Sequence, residues 1–168
     1  MTSRSTAELV RELLRRSGVP QSELLDATPV RVADSYRDLL AGYAERPGDS
    51  LRTFDAAGFA GELEIGPIPF TSLCQHHILP FSGSVTVRYR PGNRVLGLSK
   101  FSRVVSVFSR RLQTQERLTR QIADALEDVL RPGELEVRVT AEHFCMRMRG
   151  VRDAGVMTTT TETRGRYD

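Results

Sequence analysis

The chain has 168 residues, a formal charge of +3 and an apolar fraction of 39%. That length suits one domain with a modest core, and no apolar run is long enough to span a bilayer. So small a positive charge, without a basic and aromatic-rich patch, gives no case for nucleic-acid binding. Met1 to Arg16 lack the basic-then-apolar order of a secretory leader, so a cytoplasmic setting is expected, where thiols stay reduced.

Ser5 and Thr6 open an expected helix in which Leu9, Val10, Leu13 and Leu14 share a face, Arg15 and Arg16 fill the last turn and Gly18 stops it. Thr28-Pro29 reads as a second start, threonine as cap and proline first in the helix, followed by Val32, Ala33, Tyr36, Leu39, Leu40 and Tyr43 at helical spacing. Arg46-Pro47-Gly48-Asp49 ends this part, and the stretch to Gly61 reads as loop. From Glu62 to Ile65 the pattern alternates as a strand does, with Pro67 and Pro69 as punctuation. Ser84 to Tyr89 alternates again, and Pro91-Gly92-Asn93 turns. Ser99 reads as a helix cap. Phe101, Val104, Val105, Phe108 and Leu112 mark one amphipathic helix, and Leu118, Ile122, Ala125, Leu126 and Val129 a second. Leu135, Val137 and Val139 alternate with polar residues; further strands are expected over Phe144–Val151 and Thr158–Thr163. This order predicts an α+β fold, an antiparallel sheet with a helix pair on one face, preceded by N-terminal helices. Residues 1–50 are expected to form a helical segment and residues 51–168 the main domain. Exposed sheet edges predict self-assembly.

The chemistry concentrates in two short clusters. The chain has two cysteines and three histidines, and all five lie in Cys74-Gln75-His76-His77 or His143-Phe144-Cys145. Cys74 and His77 have the spacing that lets one turn present a thiolate and an imidazole to one ion, and Cys145 can add a third soft ligand. Two thiolates and an imidazole with an open fourth position suit catalytic zinc better than magnesium or calcium. His76 and His143 remain as candidate proton carriers. Two other readings stay open on the residues alone: cysteines paired or inert in a core, and a closed four-ligand structural site. Lys100 is the only lysine, a hint that an ammonium is needed there.

These clusters, with Gly97-Leu98-Ser99-Lys100, the run Ser109–Thr119 (SRRLQTQERLT) and His143 through Gly150, resemble GTP cyclohydrolase I in order and spacing over about residues 28–161. The resemblance implies the tunnelling fold (T-fold) and pentameric rings, two of which stack into a homodecamer with active sites between subunits. It implies GTP as substrate, with formate and 7,8-dihydroneopterin triphosphate as products. It assigns Cys74, His77 and Cys145 to Zn2+, and His143 and His76 to proton transfer, His143 on the purine N7 side. It assigns Glu116 to the guanine N1 and amino groups and Gln115 to the O6 edge. It gives the triphosphate to Ser99, Lys100 and Arg103, aided by Arg149 and Arg31. Gln75 stands where the family commonly has glutamate. Two alternatives differ in outcome: a diverged cyclohydrolase that opens the purine without rearranging the ribose, and a non-catalytic, zinc-stabilised nucleotide- or pterin-binding oligomer.

Overall fold

The computed structural model describes residues 4–23 and 26–165. The chain divides into two compact units, one up to Leu40 and one from Ala41. In the first, α1 (Thr6–Arg16) opens on a capping box: Ser5 Oγ accepts from the Glu8 N–H, and the Glu8 carboxylate accepts from the Ser5 N–H. The two reciprocal bonds satisfy donors that a helix start leaves open. The second helix, α2, is Thr28–Leu39. Its cap is Ala27, with no side-chain bond, so Thr28 lies inside the first turn rather than at the cap.

The second unit carries β1 (Thr53–Asp55), β2 (Leu63–Cys74), β3 (Pro80–Arg90), β4 (Arg94–Leu96), α3 (Leu98–Ser109) and β5 (Leu112–Gln113). It continues through α4 (Gln115–Leu130), β6 (Glu134–His143), α5 (Phe144–Arg147) and β7 (Met157–Gly165). Five strands form one sheet in the order β5-β2-β3-β6-β7, antiparallel except for the two-residue β2–β5 pairing. β1 and β4 form a separate ribbon, and β1 lies in the stretch expected to be loop.

Period-2 alternation sends Val85, Val87 and Tyr89 of β3 and Leu135, Val137 and Val139 of β6 to one face. Phe101, Val104, Val105 and Phe108 of α3 and Leu118, Ile122 and Leu126 of α4 are buried in the same core. This is the expected sheet with a helix pair on one face. Gly83 holds the two central strands at close range: a Cβ there would sit 1.9 Å from the Thr140 carbonyl oxygen.

Several local expectations are corrected. The Pro67–Pro69 stretch does not end a strand; β2 runs through it, with a register shift between Ile65 and Ile68. β5 flanks β2 only at Leu73 and Cys74, so these prolines lie where a missing N–H costs no ladder bond among the described strands. Gly97, not Ser99, precedes α3, and Ser99 lies in its first turn. Leu112 has left the helix for β5. Phe144 to Arg147 is one helical turn rather than strand, and that turn reshapes the site.

Candidate functional site

Cys74 is the last residue of β2 and is buried. Its N–H donates to the Leu79 carbonyl at 2.9 Å, and its own carbonyl accepts from the N–H of His77 at 3.3 Å and of Ile78 at 2.8 Å. Ile78 takes a positive φ of 56° to complete this reversal before β3. The turn converts the Cys-x-x-His spacing into a common face. The short helix α5 brings Cys145 to the same place: ligand atoms of Cys74, His77 and Cys145 all lie within 4.8 Å of one another. Donors around a tetrahedral zinc stand about 3.5–4 Å apart, given metal–ligand bonds of about 2.0–2.3 Å. The trio can therefore hold a metal ion with small side-chain adjustment. Both cysteines are free thiols, which removes the disulfide reading. Burial, and then the neighbouring Cys74, push the Cys145 thiol up. A bound cation would relieve the repulsion between two adjacent thiolates.

The remaining two histidines flank the trio. His76 Nδ1 lies 3.6 Å from Cys74 Sγ, and its side chain is exposed. His143 ends β6 opposite Phe81 of β3, and the two rings stack with centroids 4.8 Å apart and planes 2° apart. Burial pushes the His143 pKa down; the Glu116 carboxylate pulls it part of the way back, and His76 lowers it further.

Gln115 is held inside the fold. It is the first residue of α4, after Thr114, whose side chain accepts from the Arg117 N–H. Its side chain is 2% exposed. The amide nitrogen donates towards Val139 O at 3.0 Å, Thr158 O at 2.9 Å and Thr160 Oγ1 at 3.2 Å. Both amide hydrogens are thus committed inside the fold, and none is free for a guanine O6. The reverse orientation would set the amide oxygen against two carbonyl oxygens, so the network fixes which end faces outward. That end, Oε1, lies 2.9 Å from His143 Nε2. Nε2 must donate, and a neutral His143 therefore keeps its lone pair on Nδ1.

Glu116 is exposed, one residue further along α4, and close enough to His143 to influence it. Ser99 and Arg103 are exposed and Lys100 half-buried in the first two turns of α3. No hydrogen bond or ion pair joins these three to the Cys-His cluster among the described residues. Arg103 lines an open depression of about 480 Å³ with Glu45, Arg46 and Arg110, separate from the metal trio. Arg149 is exposed in the loop after α5. Arg31 is exposed on α2, in the first unit. Sequence reasoning missed Phe81, which reads as an ordinary core aromatic. It also missed Thr160, whose hydroxyl binds both Gln115 and, at 2.6 Å, Thr119 Oγ1. The only signal was the threonine run, which a plain strand explains equally well.

The chain is similar to several known proteins. A GTP cyclohydrolase 1 of Bartonella quintana (strain Toulouse) is 47% identical over 89% of this chain and 73% of its own length. One of Allorhizobium ampelinum is 47% identical over 98% of this chain and 84% of its own. A solved archaeosine synthase QueF-Like, in the apo form, overlays 72% of this chain and 99% of its own, with a TM-score of 0.47 and 18% identity. The family model for GTP cyclohydrolase I matches residues 6–168, which takes in every candidate residue above. By the family match over nearly its whole length and by these relatives, the chain belongs to the GTP cyclohydrolase I family.

Proposed function

We propose that this chain is a zinc-dependent GTP cyclohydrolase I that releases C8 of GTP as formate and forms 7,8-dihydroneopterin triphosphate. The observation that carries the reading is the convergence of Cys74, His77 and Cys145 within 4.8 Å, in a chain of this family. Two thiols and an imidazole suit zinc over hard cations. Zinc, when bound, supplies the Lewis acidity that purine ring hydrolysis needs at neutral pH.

The chain's own residues do the rest. His143 gives and takes protons at Nδ1, because Nε2 is committed to Gln115. Burial keeps it neutral over more of the physiological range, so it begins as a base and donates after it has been protonated. His76, exposed beside Cys74, serves the later proton movements of ring opening and ribose rearrangement. The Glu116 carboxylate accepts from guanine N1–H and the 2-amino group; adenine offers no such pair and leaves the carboxylate unpaired. With the Gln115 side chain spent, guanine selection falls to Glu116. Ser99, Lys100 and Arg103 of α3, with Arg149 and Arg31, hold the triphosphate.

The chain assembles into pentameric rings, paired as a homodecamer, a reading that the open sheet edges support. β7 is bonded on one side only among the described strands, and most of β2 is unpaired on its outer side. Such edges favour strand addition by a second copy. The catalytic domain spans residues 51–168 after a helical segment 1–50, and the enzyme works in the cytoplasm.

Incubating zinc-loaded protein with GTP tests the function. Formate together with the mass of dihydroneopterin triphosphate is expected. Formate with an uncyclised product supports the ring-opening variant instead. No formate at full zinc occupancy refutes both and leaves a binding protein.

A further inference from the structure

After His143 the chain makes one turn, Phe144–Arg147, then reverses before β7. Three residues of this loop take positive φ: Gly150 at 63°, Arg152 at 57° and Gly155 at 82°. Backbone bonds within it are local, from Met148 N to Phe144 O and from Arg152 N to Arg149 O. Beyond that first turn the large apolar residues do not anchor it: Met148 is 62% and Val151 68% exposed.

Two hydrogen bonds from this stretch end on one group. Arg147 Nη1 donates to Glu142 Oε2 at 2.9 Å, and the Gly155 N–H donates to Glu142 Oε1 at 2.8 Å. Glu142 sits near the end of β6, paired with Ser82 on one side and Met157 on the other. A single carboxylate therefore ties the beginning and the end of the loop to the sheet. Cys145 lies between Glu142 and the first tie point, Arg147, so the Arg147–Glu142 bond closes the short segment that carries it, and Arg149 lies between the two tie points.

We propose that Glu142 is a positioning residue that closes residues 144–156 onto the end of β6 and so holds Cys145 for the metal. An exposed ion pair alone is worth little. Here the carboxylate side chain is 17% exposed against 48% for Arg147, and it also bonds a backbone N–H, so both of its bonds are charge-assisted. Ordering the loop in advance removes an entropy cost that metal binding must otherwise meet. The inference rests on the reading of Cys74, His77 and Cys145 as metal ligands.

The test compares wild type, Glu142→Ala, Glu142→Gln and Arg147→Met as full chains. Zinc affinity is read by competition with a chromophoric chelator, and amide exchange over residues 144–156 is read on metal-free protein. Glu142→Ala should weaken zinc by about 10–100-fold, the range seen when groups supporting metal ligands are removed. Its exchange should rise in residues 144–156 and stay unchanged in β3 and α4. Glu142→Gln, which keeps a neutral acceptor for Gly155, and Arg147→Met, which keeps the Gly155 bond, should fall between. Wild-type affinity in Glu142→Ala, or an exchange increase spread over the whole unit in all three variants, overturns the proposal alone. A wild-type chain that takes up no zinc overturns the metal reading and the proposal with it.

Discussion

Replacing Gln115 by leucine keeps the volume at the start of α4 but removes every polar contact of that side chain. Four partners are affected: Val139 O, Thr158 O, Thr160 Oγ1 and His143 Nε2. Thr160 retains Thr119 as a partner at 2.6 Å, so the cost falls on the two carbonyls and the imidazole. Leaving a buried polar group unsatisfied costs about 1–3 kcal/mol. Some relaxation is expected, so the change should destabilise by about 2–5 kcal/mol in all. At about 2–4 °C per kcal/mol for a chain of this size, the melting temperature should fall by about 10 °C. Activity should fall further than folding does. His143 loses the acceptor that fixes its tautomer, and a displaced proton carrier typically costs 10²–10⁴-fold. Calorimetry reads the first effect. Nitrogen chemical shifts of the His143 ring read the second, because they separate a proton on Nε2 from one on Nδ1. Leucine at 115 with wild-type stability and an unchanged His143 tautomer would refute this account of the network. A large rise in KM for GTP with kcat and tautomer intact would instead return Gln115 to guanine binding.

Three further outcomes follow from the geometry. Cys74→Ser, His77→Ala and Cys145→Ser should each lower bound metal below one ion per chain and abolish formate release, measured by metal analysis on folded protein. Gly83→Ala should destabilise by about 3 kcal/mol or fail to fold, since its Cβ would lie 1.9 Å from the Thr140 oxygen; chemical denaturation measures this. The Gly155 N–H, and then Arg147, hold the Glu142 carboxyl below its ordinary value. Its folded pKa is depressed, so the clamp is fully present above the unfolded value of about 4.3 and is lost as pH falls through the folded value. Exchange over residues 144–156, corrected for intrinsic rates, should therefore rise selectively below about pH 4.

The architecture was largely legible because burial leaves a periodic mark. Val85, Val87 and Tyr89, and Leu135, Val137 and Val139, alternate because one sheet face is covered, and α3 and α4 show the stripes that cover it. The metal trio was legible for a different reason: cysteine and histidine are scarce here, and they cluster. What escaped depended on long-range pairing. Nothing local distinguishes a glutamine that bonds strands β6 and β7 from one that meets a ligand. Phe144–Arg147 carries apolar residues that suit a strand, but Cys145 must turn back towards Cys74, and one helical turn does this. Pro67 and Pro69 read as breakers because sequence does not reveal which strand edge lacks a neighbour.

The most direct test of the function supplies GTP labelled with ¹³C at C8 and follows formate by NMR as zinc is titrated into metal-free protein. The account predicts labelled formate at a rate proportional to zinc occupancy, reaching its maximum at one ion per chain and absent in Cys145→Ser. Formate released at the same rate without metal, or none at full occupancy, would contradict it.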